Sequence, residues 1–194
     1  MIKFLFYILP FLFLLLPSLW VNYILRKNNK IMSDMPFTGK EFGRKILEDY
    51  KLYNVTINPI KQIDHYNPIE KKIHISNDKL NKKSITSISV VAHEIGHAIQ
   101  DRDNYKPLKL RQTLIEKTLI FQKLGSFLLI IGLPSIFAFT KSPLITFLSA
   151  IIIMGCLSTN VLIHLITLPV EFDASFKRAL PILEKYVPKD NMKQ

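Results

Sequence analysis

Cysteine is almost missing: the one residue, Cys156, lies inside an apolar run of a 194-residue chain. That excludes a disulfide framework and a zinc site built on thiolates. Internal repeats and low-complexity linkers are absent as well, so the chain is not a repeat array. Acidic residues are scarce, 15 Asp+Glu against 26 Lys+Arg, for a net charge of +11. The basic residues are dispersed with few interleaved aromatics, which argues against a nucleic-acid binder. Basic loops facing an anionic membrane surface fit the charge better. Charge is also lacking in two regions, Met1 to Leu25 and Phe121 to Leu168, which hold three long apolar runs. A wholly soluble domain would interleave these classes, so a soluble protein and a disordered one are both excluded.

The first run, Ile2 to Leu25, carries only Lys3 as a charge and is long enough for a bilayer, which takes about 20 residues. It has no small-residue cleavage site and is followed by Arg26-Lys27, so it reads as a retained anchor rather than a signal peptide. The second run extends from about Thr118 to Phe139. The third starts at Ser142-Pro143, a helix-start pattern, and continues to Leu168, where Pro169 interrupts it. The loop between them is short enough to predict an antiparallel hairpin. Three spans put 24 of the 26 basic residues on one side, with only Lys3 and Lys141 opposite. The charged middle and the tail are therefore expected in the cytoplasm. The expected organisation is an anchor over 1–25, a catalytic region over 26–117, a transmembrane hairpin over 118–168 and a cytoplasmic tail over 169–194.

The middle reads as a small α+β unit. Phe42, Ile46, Leu47 and Tyr50 share one helical face, with Thr38 as the cap. Val55-Thr56-Ile57 is a brief β-branched run, and Asn67-Pro68 marks a turn. Lys72 to Ser76 alternates like a half-buried strand, within an Ile69–Ser76 segment expected to be a sheet edge open to an extended substrate. Ser84 to Arg102 reads as a helix with Ile85, Ile88, Val91 or Ala92, Ile95 and Ile99 inward.

That helix carries His93-Glu94-Ile95-Gly96-His97. Residues i and i+4 share a helix face, so both imidazoles can address one ion. Zinc accepts such nitrogens, and a catalytic site takes three protein ligands. Glu94, about 100° round the helix, is placed to act on the attacking water without ligating. Gly96 leaves room for something packed closely against the ligand helix. The third ligand must lie on the same membrane side, and two spans bring the chain back there for Glu171. That carboxylate also fits the first turn of a new helix after Pro169. His164, within the third run, is the other candidate. Asp101 could support an imidazole N–H, and His65, Tyr66, Tyr105 and Arg178 could each serve the oxyanion. His74 reads as an exposed strand residue.

His93 to Gln100 (HEIGHAIQ), Asp64 to Pro68 (DHYNP) and Leu168 to Ser175 (LPVEFDAS) together resemble the YugP-like neutral zinc metallopeptidases, bacterial membrane proteins. The likeness covers about Ile63 to Leu180. It implies a mainly α, α+β zincin-like catalytic unit joined to three transmembrane helices, with Zn2+ on His93, His97 and Glu171 and Glu94 catalytic. The implied substrate is a peptide or protein, soluble or membrane-anchored. Two departures from the family stand out, a tail with less arginine and a chain that is short for it; in addition, Ser175 stands where related zincins often carry an aspartate, which leaves the supporting role to Asp173 or another residue. The competing readings are an intramembrane protease, for which the stretch from Ser84 to Asp101 is too short and polar, and a noncatalytic zinc scaffold, which has no need of Glu94.

Overall fold

The computed structural model describes residues 16–188, and the chain forms two compact units. The first comprises Met1–Ile99 with Ala174–Gln194, and the second Gln100–Asp173. Residues 1–15 and 189–194 lie outside the described part, and with them most of the expected N-terminal anchor.

In the first unit, helix α1 (residues 16–27) precedes α2 (Gly39–Asp49). α2 begins as the sequence indicates: the Thr38 hydroxyl accepts from the Glu41 N–H, while the Glu41 carboxylate accepts from the Thr38 N–H at 2.8 Å. This reciprocal box satisfies donors that a helix start otherwise leaves unpaired. The Thr38 backbone N–H and then its hydroxyl hold the Glu41 carboxyl below the ordinary glutamate range. Phe42, Ile46 and Leu47 are buried, as their spacing predicts.

Three strands follow: β1 (Thr56–Ile60), β2 (His65–Asn67) and β3 (Lys72–Ser76), in the order β1-β3-β2. β3 is therefore central, parallel to β1 and antiparallel to β2. This corrects the expectation that Ile69–Ser76 is an open edge. Both ladder faces of β3 are taken, because a three-residue strand at His65–Asn67, too short to show periodicity, covers the side expected to be free. Ile73 and Ile75 are fully buried on one face of it. Asp64 and Asn67 of the Asp64-to-Pro68 motif brace the sheet. Asp64 accepts from the Ser76 N–H at 2.7 Å and pairs with Lys79 of α3 (Asn77–Asn81), and the Asn67 side chain accepts from the N–H groups of Ile69 and Glu70.

Helix α4 (Ile85–Arg102) opens on Ser84, whose hydroxyl accepts from the Ser87 N–H at 3.1 Å. Thr86 ties its first turn to the end of α1, its hydroxyl donating to the Leu25 carbonyl at 2.7 Å. Ile88, Val91, Ala92, Ile95 and Ile99 form the core with Phe42, Ile46 and Ile75. Ala179, Ile182 and Val187 complete that core, so the C-terminal segment, with α8 (Leu180–Tyr186), is integral to the unit rather than a loose tail.

In the second unit α5 (Lys106–Phe127), a π-helical turn (Leu128–Gly132) and α6 (Leu133–Thr140) form one helical stretch. Lys106–Thr140 is, among the described residues, the one helix long and apolar enough to cross a bilayer, with a mean hydropathy of 1.7 over its most apolar window. The chain reverses at Lys141, in the left-handed region, and α7 (Pro143–Phe172) packs along α5 and α6. Of the three expected spans, one is thus met by length and apolarity, with a shorter apolar helical stretch at Pro143–Cys156. Phe121, Ile130, Phe137, Phe147 and Ile152 are all more than half exposed, a surface that water disfavours and lipid does not.

α7 passes through Pro169 rather than stopping there. Glu171 therefore sits in the last turn of a 30-residue helix and not in the first turn of a new one. A π-helical segment, Asp173–Ala179, continues it directly.

Replacing Thr38 by alanine removes the hydroxyl half of the capping box, keeps the backbone N–H that Glu41 accepts from, and should cost about 1 kcal/mol of stability. The lowered Glu41 pKa stabilises the fold above the ordinary glutamate pKa, and that contribution disappears as pH falls through the folded value. Denaturant titrations at neutral and strongly acidic pH should show the difference between wild type and Thr38→Ala shrinking in acid.

Candidate metal centre

α4 presents His93 and His97 one turn apart, their ring centroids separated by 4.7 Å and nearly perpendicular at 81°. His97 and Glu94 are each 7% exposed, and His93 is half-buried. Three polar side chains within five residues of a core helix need partners, since burial without them costs several kcal/mol. His93 Nδ1 lies 3.0 Å from the Ser175 hydroxyl. At the position where related zincins often carry an aspartate, the serine hydroxyl itself therefore meets the ring of His93.

Gly96 explains why Ser175 can come so close. A Cβ at position 96 would lie 2.7 Å from the carbonyl oxygen of Ala174, closer than side-chain carbons approach backbone. The bare helix surface lets the Asp173–Ala179 segment sit directly on α4, and Ser175, the next residue, reaches the ring of His93. The expectation that Gly96 makes room for a close neighbour is met, with Ala174 as that neighbour.

Within the second unit the contact between the same two stretches of chain recurs. The fully buried Gln100 donates from Nε2 to the Val170 carbonyl and to Asp173 Oδ2, both at 2.8 Å. Glu171 lies between those two acceptors in sequence, and its Oε1 pairs with Arg111 Nη1 of α5 at 3.2 Å. Arg111 was invisible to motif reading: it stands alone on a helix with no spacing that ties it to the acidic segment.

The other candidates have these surroundings. His164 is exposed on α7. His65 stacks on its cross-strand neighbour His74 at 4.8 Å, with its Nδ1 2.9 Å from the Ile63 carbonyl. Tyr66 packs against the core, and Tyr105 precedes α5 as its N-cap residue. Cys156 is half-buried on α7.

A helix that aims two imidazoles from one face, beside a buried glutamate and with one ring held by a hydroxyl, has the donor chemistry of a zinc hydrolase. The comparison with known proteins agrees. Residues 3–194 match the family described as "Putative neutral zinc metallopeptidase", and the chain belongs to it. It is also 30% identical, over 168 residues covering 81% of this chain and 69% of the other, to a Bacillus subtilis protein named "Putative membrane protease YugP". No solved structure matches.

Two substitutions test the local construction. Gly96→Ala would raise helix propensity at an open position, yet here it should destabilise by about 1–3 kcal/mol through the clash with Ala174. A higher melting temperature would refute the close approach. Ser175→Ala should keep the fold and weaken zinc binding by about tenfold or more, measured by competition with a chromophoric chelator.

Proposed function

We propose that this chain is a membrane-bound zinc endopeptidase that holds its metal on His93, His97 and Glu171 and uses Glu94 as general base. The observation that carries it is the pair of facing imidazoles on α4 with buried Glu94 beside them. The fit of the donor set to zinc is chemical: two neutral imidazoles and one carboxylate are a catalytic zinc set that leaves a position for substrate. With Nδ1 of His93 engaged by Ser175, Nε2 is the nitrogen assigned to the metal. Support for Glu171 comes from its position in the chain. It lies three residues before Ala174, which rests on Gly96, and between Val170 and Asp173, which Gln100 binds. A carboxylate has two oxygens and several lone pairs, so its pairing with Arg111 is compatible with ligation of a metal ion.

Bound there, zinc supplies polarisation of the scissile carbonyl and acidification of water. Glu94 takes the proton from the attacking water and delivers it to the departing amine nitrogen, so the same carboxylate is base and then acid. Burial keeps Glu94 largely out of bulk solvent. Ser175 fixes the ring orientation of His93, and Arg111 fixes Glu171.

The membrane arrangement in this proposal has three spans, 1–25 and the two arms of 118–168, with the site at the cytoplasmic surface. The distribution of basic residues supports that sidedness. The substrate is a peptide or protein that is soluble or anchored in the same bilayer.

Metal analysis and peptide hydrolysis on the purified wild type and Glu94→Gln decide the matter side by side. The expected result is one zinc per chain in both, with hydrolysis lowered by at least about a hundredfold in the variant. Full activity in Glu94→Gln would dismiss it as base. Stoichiometric zinc with an inert wild type would favour a binding scaffold.

A further inference from the structure

A cleft of about 580 Å³ in the first unit runs beside His93 and Glu94, which form part of its lining. Much of the remaining wall is apolar: Val21 and Leu25 from α1, Val90 from α4, and Ala179, Leu180 and Leu183 from the C-terminal segment. Two further charged groups line it, Asp64 and Lys79, and they are ion-paired to each other. Asp64 is tied down as well by the Ser76 N–H. Their charges are therefore spent inside the wall. A charged side chain entering the cleft would lose its hydration and find no counter-ion among these two groups, whereas an apolar one exchanges water for matching surface. The volume takes a leucine or phenylalanine side chain together with the adjoining backbone.

We infer that this cleft is the specificity pocket of the hydrolytic site and takes the large apolar side chain of the substrate residue next to the scissile bond. The inference rests on the assignment of Glu94 and His93 as the hydrolytic residues, because their place in the cleft's lining is what puts its occupant beside the reacting carbonyl. The substrates are then peptides cut beside Leu, Ile, Phe or Met. One wall, from Val21 and Leu25, belongs to the N-terminal apolar run, so the pocket is built in part from the segment read as the membrane anchor.

The test uses the full chain in detergent micelles and fluorescein-labelled decapeptides that differ at one residue: Leu, Phe, Lys or Asp. Wild type should cleave beside Leu or Phe with kcat/KM at least about tenfold above Lys or Asp. Leu180→Arg, at a partly exposed position, should erase that preference and raise the Asp peptide relative to Leu. Val21→Arg, on a different helix, should do the same and stands in should Leu180→Arg fail to fold. Cleavage without preference, or a preference that neither folded variant changes, overturns the pocket while leaving the peptidase assignment intact. Should wild type cleave nothing, equilibrium binding of the same peptides to Glu94→Gln decides. Tighter binding of the Leu and Phe peptides by about tenfold, lost in the Leu180→Arg double variant, keeps the pocket and removes the hydrolytic assignment. Equal binding of all four removes both.

Discussion

The architecture of the site depends on one close approach, the seat of the Ala174 backbone on the bare surface of α4 at Gly96. Glycine in a helix interior costs roughly 1 kcal/mol relative to alanine. The cost is offset because a methyl group there would push the following segment away, and with it Ser175 from the ring of His93. A helix that carries two metal-seeking imidazoles is useful only if something fixes their rings. At His93 that support arrives from 82 residues further along the chain. The long apolar excursion through α5, α6 and α7 ends in the segment that delivers it.

Buried polar groups along α4 follow the same logic. At its start Ser84 and Ser87 bond each other, and Thr86 bonds the end of α1. Near its end Gln100 bonds the Val170 carbonyl and Asp173. Each contact anchors the helix to a segment distant in sequence, and between them lie the two histidines and Glu94. Satisfied polar contacts of this kind fix orientation more than they add stability, because each replaces a bond to water. The stability of the first unit comes instead from Phe42, Ile46, Ile75, Ile95 and Ile182, all fully buried.

Local signals were readable from the sequence where local physics decides. Thr38 and Glu41 cap α2, the i and i+4 histidines share a face, and Ser142-Pro143 opens α7. What escaped was set by tertiary contact. Ala179, Ile182, Leu183, Tyr186 and Val187 have the i, i+3, i+4, i+7, i+8 spacing of one helix face, but the core that this face meets lies far away in sequence. β3 looked like an edge because its partner β2 is three residues long. Pro169 looked like a stop, yet α7 runs through it, with the neighbouring Val170 carbonyl taken by a side chain from α4. Ser175 closes the LPVEFDAS motif but looked like a departure there, and Arg111 carries no motif; only their positions reveal that one meets His93 and the other Glu171. Of the three motifs in the family resemblance, the Asp64-to-Pro68 portion has a bracing role in the small sheet that its sequence alone did not reveal.

The central claim is that Glu171 completes a metal cage begun by His93 and His97. X-ray absorption at the zinc edge, recorded on the zinc-loaded full chain and on Glu171→Ala, tests it most directly. Two imidazole nitrogens and a carboxylate oxygen should surround the ion in the wild type, and the variant should lose the carboxylate contribution together with affinity. Superimposable spectra and unchanged affinity in the two proteins would contradict it.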